Sequence, residues 1–255
     1  MNLAERLERT QWDLFWLPPD ASVAVDRPDL LLLTCRRPVP FLNVVLRARC
    51  APSDALALVD EAASHPSLTR WVVTDTFDRA PLGSALSLRG WAPGPPMEVR
   101  VLDVDAWTRP ATLTVRRVDT RSSLLDAMRV TERAFDQPSE STEDSLAADL
   151  RQCTEGNRVH RFVVVDAHGE PVSSGGLTSF PDLQMGLLWA GGTVAEARGH
   201  GAYTSLLAAR VACARSLGLR WVGLYARAAT SAPIVARHGF TKHGEMNYWE
   251  RASAR

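Results

Sequence analysis

The sequence has 255 residues, of which 45% are hydrophobic and 23% charged, so it is long enough to bury a sizeable core in one large or two small domains. Lys and Arg balance Asp and Glu at 29 each, which argues against the basic surface that nucleic acids or anionic membranes attract. No apolar run approaches the roughly 20 residues of a membrane span, and the N-terminus is charged and amphipathic rather than a signal peptide. We therefore expect a cytoplasmic protein with neither nucleic acid nor membrane as a partner.

The first part of the chain predicts one helix, two strands, a second helix and a third strand. These elements are expected at residues 3–17, 30–33, 41–46, 53–64 and 71–74. Pro18 and Pro19 end the first helix because proline cannot continue it. The four cysteines show neither a C-x-x-C pair nor the spacing of metal ligands, so no metal site is predicted.

A domain boundary is predicted where Pro110 interrupts the pattern after a strand at Val99–Val104. It divides the chain into residues 1–108 and 109–255. The second part is expected to begin with a strand at Thr112–Val118, a helix over Ser122–Phe135 and a hairpin.

The central stretch, Leu187–Gly218, predicts a strand, a glycine turn and a helix. The turn is Arg198-Gly199-His200-Gly201-Ala202. A helix that begins after glycines leaves several backbone N–H groups without an internal partner at the positive end of the helix dipole. Such a place binds phosphate groups. The turn lacks the third glycine of a Rossmann motif and the Gly-Lys-Ser/Thr of a P-loop.

This order, together with His238-Gly239-Phe240 near the end, resembles the GCN5-related N-acetyltransferase (GNAT) superfamily, closely from Trp189 to Trp249 and more loosely back to Leu113. The resemblance implies an α/β fold with a mixed sheet flanked by helices, and a loop that binds the pyrophosphate of acetyl-CoA or another acyl-CoA. The preceding strand would bind the pantetheine arm. The implied cofactor-binding residues are Gly191, Gly192, Thr193, Arg198, Gly199, His200, Gly201, Ala202, Tyr203 and Thr204. Tyr203 departs from the glycine or alanine usual in the family.

The two halves of the sequence share an ordered set of short matches. Three segments of the first half recur about 150 residues later: Arg70-Trp71-Val72 as Arg220-Trp221-Val222, Gly90-Trp91 as Gly239-Phe240, and Met97 as Met246. The first half has RARCAPSD where the second has its glycine turn, so a pyrophosphate site is not expected there. The arrangement resembles tandem GNAT proteins, with a degenerate N-terminal copy. Whether the protein forms a homodimer stays open.

The resemblance implies an N-acetyltransferase in which a primary amine of a small molecule or peptide attacks the thioester directly. The position of the family's usual general acid, a tyrosine, is Val235 here. Tyr225 is the predicted replacement, although a structural hydrogen bond would also explain it. Trp189 and Tyr248 are predicted to line the acceptor pocket or to belong to the core. Two alternatives stay open: a non-catalytic acyl-CoA-binding module, and a purely structural duplicated protein.

Overall fold

The computed structural model describes residues 1–138 and 142–251. Within these residues lie twelve strands and seven helices. The strands are β1 (Ala21–Arg27), β2 (Leu30–Cys35), β3 (Val44–Ala48), β4 (Arg70–Thr74), β5 (Trp91–Pro93), β6 (Met97–Asp103), β7 (Thr114–Arg117), β8 (Val159–Val165), β9 (Pro171–Phe180), β10 (Met185–Thr193), β11 (Trp221–Arg227) and β12 (Thr241–Arg251). The helices are α1 (Leu3–Arg9), α2 (Ala55–Ala63), α3 (Ala80–Leu88), α4 (Arg121–Phe135), α5 (Glu143–Thr154), α6 (Ala202–Ser216) and α7 (Ser231–Arg237).

The chain forms two compact units. The first contains Met1–Arg100, Tyr225–Ala236 and the residues from Lys242, and the second contains Val101–Leu224 and Arg237–Thr241. This division differs from the predicted boundary at residue 108, because strand β12 lies in the first unit, where it pairs with β4.

In the first unit, neighbouring strands follow the order β1-β2-β3-β4-β12, and β5 pairs with β12 outside this path. The β3–β4 pair is parallel and the other pairs are antiparallel. Helices α2 and α3 pack on one face around Trp71 and Trp91. On the other face, Met246 and its neighbours pack against Trp12 and Trp16 from the segment after α1. The sheet therefore has an apolar core on both faces.

In the second unit, the strand order is β7-β8-β9-β10-β11, with β10 and β11 parallel and the other pairs antiparallel. Helices α4 and α5 cover one face together with Val163 and Val165. Helix α6 covers the other face together with Phe162 and Val164. Successive residues of β8 point to opposite faces, and both faces are covered, so the whole strand is buried.

The sequence predicted most of these elements but not all of them. Helix α1 ends at Arg9 instead of continuing to residue 17. Strand β1 and helix α5 were not predicted. A capping box explains where α5 begins, since the Thr142 side chain accepts from the Ser145 N–H while the Ser145 hydroxyl accepts from the Thr142 N–H. Among the described residues, no helix combines the length and the apolar character that crossing a membrane requires.

Candidate functional site

Strand β10 separates from β11 after three residue pairs. Met185–Leu187 pairs in parallel with Trp221–Gly223, whereas β10 continues to Thr193. Within the described part of this unit, the edge of Leu188–Thr193 that points away from β9 has no strand partner. Such an edge offers backbone N–H and C=O groups to an extended ligand that lies along the strand.

A β-bulge lies on this free stretch of β10. The β9–β10 register shifts between two pairs: Trp189 with Gly176, and Gly192 with Ser174. Ala190 and Gly191 therefore both lie opposite Gly175. Ala190 has a φ of 46°, in the left-handed region that non-glycine residues rarely adopt. Local strain of this kind concentrates at ligand sites, where the surrounding structure holds it in place.

The predicted glycine turn follows directly and leads into α6. Gly199 and Gly201 both have a φ of 82°, which glycine adopts without the Cβ clash that other residues meet. Gly201 is the N-cap of α6 and makes no side-chain capping bond. The first amide that donates into the helix is that of Ser205, 2.9 Å from the Gly201 oxygen.

The backbone amides from Gly199 to Thr204 donate no hydrogen bond to another described residue. A Cβ added at Gly199 would have no described atom within 4 Å, so a ligand can approach this part of the turn closely. Unpaired N–H groups at the start of a 15-residue helix favour negative charge nearby, because the helix dipole adds to their partial charges.

Side-chain hydrogen bonds hold the end of β10 and the turn together. The Arg198 Nε donates to the Thr193 oxygen at 3.2 Å. The Ser173 hydroxyl donates to the Gly192 oxygen at 2.7 Å, and its oxygen lies 2.9 Å from the buried Thr193 hydroxyl. The exposed edge and the turn are therefore fixed relative to each other.

The start of α6 is fixed by the segment before β7. The Ser205 hydroxyl accepts the amides of Thr112 and Leu113 at 3.0 and 3.1 Å. A Cβ at Gly201 would lie 3.0 Å from the Thr112 hydroxyl, so packing as well as its φ favours glycine at this position. Ala202 is buried beneath the first turn of α6.

The remaining predicted turn residues differ in exposure. His200 is exposed, while Tyr203 and Thr204 are half-buried. The Tyr203 ring lies 6.2 Å from the His238 ring, which stacks on Trp107 at 5.9 Å. The Arg109 Nη1 lies 3.2 Å from the His238 Nδ1. Because arginine can only donate, Nδ1 accepts and the proton of the neutral ring is on Nε2.

Burial is the main cause that lowers the pKa of His238, and the charges of Arg109 and Arg237 lower it further. The imidazole therefore stays neutral at neutral pH. Sequence analysis did not assign Trp107 or Arg109 to the site, because nothing in the local pattern brings them to His238.

Helix α6 also contains a buried arginine that the sequence analysis overlooked. Arg210 is 1% exposed and lies on the sheet-facing side, between the buried Leu206 and Ala214. A signal for it was available: an arginine four residues after Leu206 falls on the apolar stripe of the helix rather than on its polar face.

Trp189, a predicted acceptor-pocket residue, packs across the sheet on the face covered by α4 and α5. Its ring lies over Gly176, where a Cβ would be only 2.1 Å from a ring carbon. Its Nε1 donates to the Thr178 hydroxyl at 3.0 Å, and the Arg161 guanidinium lies 5.8 Å from the ring centroid. These contacts give Trp189 a structural role, and its part in an acceptor pocket stays a prediction.

The two predicted tyrosines belong to the first unit. Tyr225 packs in the cluster around Met246, and its hydroxyl is buried with no hydrogen-bond partner among the described residues. Burial raises the pKa of Tyr225 well above its usual value, and the Glu8 carboxylate raises it further. The Tyr248 ring lies 4.4 Å from the Arg70 guanidinium, and burial raises the pKa of Tyr248 as well. Their catalytic and acceptor roles stay predictions.

No family model matches the sequence, and no curated protein matches it either. Solved structures do. The chain is similar to a GCN5-related N-acetyltransferase from Kribbella flavida with a TM-score of 0.75 and 15% identity, over 100% of this chain and 97% of that one. A GCN5-related N-acetyltransferase from Sphaerobacter thermophilus gives a TM-score of 0.61 and 16% identity, over 90% and 75% of the two chains.

A third similar structure is a tandem GNAT protein from the clavulanic acid biosynthesis pathway, without AcCoA, with a TM-score of 0.61 and 17% identity over 98% of this chain and 89% of that one. These likenesses confirm the predicted fold, a mixed α/β GNAT fold in the tandem arrangement. At such identities they show the fold, and the function must be argued from the site.

Proposed function

We propose that the protein is an acetyl-CoA-dependent N-acetyltransferase that transfers an acyl group to a primary amine of a small molecule or peptide. The observation that carries this proposal is the glycine turn. It presents the unpaired amides of Gly199–Thr204 at the start of α6, directly after a strand whose edge is free from Leu188 to Thr193.

The second unit offers complementary groups for the two chemically different parts of coenzyme A. The amides and the dipole of α6 suit the diphosphate, because both favour negative charge. The edge of Gly191–Thr193 suits the amide-bearing pantetheine arm, which can pair with a strand as another strand would. When bound, acyl-CoA would supply an activated thioester, and the strand edge and the turn would orient it.

Proton transfer is assigned to Tyr225. This role is proposed from the sequence alone, and burial, which raises the pKa of Tyr225, keeps its phenol protonated at neutral pH. The attacking amine must be neutral, so transfer should increase with pH until the acceptor is fully deprotonated. A cytoplasmic location and a homodimer are proposed from the sequence alone.

A second candidate function is a non-catalytic acyl-CoA-binding module. It is favoured by Val235, which is fully buried at the position of the family's tyrosine and has no proton to give. Both functions require the turn to bind the coenzyme. They differ in whether any amine releases CoA.

A pair of alanine variants tests the role of the turn. Gly199 and Gly169 have similar φ values, 82° and 85°, and at each an added Cβ would meet no described atom within 4 Å. Alanine should therefore destabilise both by a similar amount, roughly 1 kcal/mol. Gly169 lies in the β8–β9 turn, where its amide donates to Asp166.

Acetyl-CoA affinity by calorimetry and release of CoA thiol with a panel of amines would be measured for both variants. We expect Gly199→Ala to weaken binding on the order of tenfold, because its methyl group separates the amides from the phosphates. Gly169→Ala should bind as the wild type does. Equal affinities in the two variants would refute the assignment of the turn, and binding without CoA release for any amine would favour the non-catalytic module.

A further inference from the structure

The guanidinium of Arg210 is buried, and its nearest aromatic neighbour is Tyr203, whose ring centroid lies 6.0 Å from its Cζ. Its Nη1 is 3.5 Å from the Gly176 oxygen and its Nε is 3.4 Å from the Leu206 oxygen, both at the long end of hydrogen-bond distances. Its Nη2 has no hydrogen-bond partner. Among the described residues, no carboxylate contributes to the electrostatic environment of Arg210.

Such an arrangement is costly for the fold. A buried charge is normally paired with an opposite charge or fully hydrogen-bonded, since an isolated one loses its hydration with little in return. An arginine cannot escape this cost by losing its proton, because its pKa starts too high. Burial lowers the pKa of Arg210, which reflects the same cost, and Tyr203 offsets only part of this effect.

The guanidinium lies against the bulge of β10. A Cβ added at Gly191 would be 3.1 Å from Nη2, and one added at Gly175 would be 3.0 Å from Nη1. Because Gly175 is the residue that faces the bulge across the β9–β10 ladder, the two glycines make room for the charge on the α6 side of the sheet. The free edge of β10 lies in the plane of the sheet beside it.

We propose that Arg210 is a positioning residue whose charge, acting through the bulge at Ala190–Gly191, favours negative charge at the acyl end of a ligand lying along β10. This inference rests on the proposed function, which places an acyl-CoA along that edge. The charge acts in a water-poor interior, where electrostatic interactions are stronger than at the surface.

The reaction provides the negative charge. The amine nitrogen forms a bond to the thioester carbon, and the electron pair of the C=O bond moves to the oxygen. When the oxygen's electron pair re-forms the C=O bond, the C–S bond breaks and the sulfur leaves as a thiolate with the electron pair of the C–S bond. The amine proton passes to a base or to water. Arg210 keeps all its protons and favours both the oxyanion and the thiolate by its field.

A pair of unreactive ligands tests this without turnover. S-carboxymethyl-CoA carries a carboxylate where acetyl-CoA has its acetyl group, and S-ethyl-CoA is a neutral compound of similar size. Calorimetry on the full chain should show that the wild type prefers the anionic ligand by on the order of tenfold. Arg210→Met should lose this preference, and Arg210→Lys should retain most of it.

Arg215→Met is the matched control on the same helix. The Arg215 guanidinium is bonded to the backbone oxygens of Val104 and Trp107, so its removal should leave the preference unchanged. If Arg210→Met does not fold, Arg210→Gln supplies the neutral replacement.

The outcomes separate the two hypotheses. A wild type that binds neither ligand contradicts the proposed function. A wild type that binds both, with the preference intact in the neutral Arg210 variant, overturns the inference and leaves the proposed function standing. If transfer is measured as well, Arg210→Met should lower kcat while the KM for acetyl-CoA changes little. A purely structural arginine predicts instead a loss of stability that lysine does not restore.

Discussion

The two units begin a helix in different ways after corresponding strands. In the second unit, α6 begins at Gly201 in the left-handed conformation, with free amides before it. In the first unit, α2 follows a tight turn over Pro52–Asp54, preceded by Ala51 with a φ of −63°. Proline contributes no N–H, and the turn contains no glycine. The comparison shows that the same strand–helix connection presents an unbroken run of unpaired amides in one unit and not in the other, and the two glycines make the difference.

The strands before these helices differ in a related way. β3 also has a bulge, because its register with β2 shifts at Leu46. There, the Trp12 indole donates to the Leu46 oxygen at 3.3 Å. The bulge of the first unit is thus already paired with the protein's own side chain, whereas the edge of β10 stays available to a ligand.

The buried charges complete the contrast. In the first unit, Glu8 is 2% exposed and accepts hydrogen bonds from Thr74, Thr76 and Arg49. Its charge is neutralised within the unit. Arg210 in the second unit has no such counter-charge among the described residues. The buried carboxylate of the first unit is therefore paired within that unit, whereas the buried guanidinium of the second unit is not.

The largest effect is expected from removing the left-handed conformation of Gly201, which distinguishes the start of α6 from the start of α2. Gly201→Leu forces a branched residue into a positive φ and against Thr112, which should displace the first turn of α6. We expect acetyl-CoA affinity, measured by calorimetry, to fall by roughly a hundredfold or more.

The matched change in the first unit is Pro52→Gly. It should leave acetyl-CoA affinity as it is in the wild type, because α2 is not expected to bind the coenzyme. Loss of affinity in this variant, or coenzyme bound near residues 46–54 in a crystal, would reverse the assignment of the two units.

A smaller effect, on stability, should follow from neutralising the buried charges. Glu8→Gln leaves Arg49 without its partner and should lower the free energy of unfolding by about 3 kcal/mol in urea titrations. Arg210→Met removes a charge that has no counter-charge and should leave the free energy of unfolding unchanged or raise it. Equal losses in the two variants would show that both charges are structural.

The smallest expected effect is on how the free energy of unfolding changes with pH. Burial and Arg117 lower the pKa of His160 below its usual 6.5, and His238 is shifted in the same direction. In the unfolded chain both histidines take up protons near pH 6.5, before the folded protein does. Stability is therefore fully present above that pH and falls as the pH drops through the lowered values.

Urea titrations from pH 7.5 to pH 5 would measure the slope of the free energy of unfolding against pH. The double variant His160→Gln with His238→Gln should show a flatter slope than the wild type. Because both side chains are neutral at pH 7.5, the difference between the two proteins at that pH reports packing alone. A slope unchanged by the two substitutions would assign the acid sensitivity to other groups.

The sequence predicted the parts that depend on local chemistry. The turn at Gly199 and Gly201 was found because a left-handed backbone is a property of the residue itself. Arg210 was missed because its burial depends on how α6 packs on the sheet. Helix α5 was missed because its polar composition hid the capping signal at Thr142 and Ser145.

The pairing of the strands could not be predicted from short segments of the sequence either. The strands that contain Met97 and Met246 occupy corresponding positions in the two halves of the sequence, and nothing within either one specifies which neighbour it pairs with. Only the complete sheets decide that β12 joins β4.

The position of β12 has a consequence for biosynthesis. A ribosome makes β1 to β5 of the first unit early, but it makes β12, which pairs with β4, only after the strands of the second unit. During translation the sheet of the first unit therefore stays incomplete, with one edge of β4 uncovered, until the second unit has been made. A fragment ending at residue 108 should consequently aggregate or be degraded, and adding a peptide that contains Thr241–Arg251 should improve its yield.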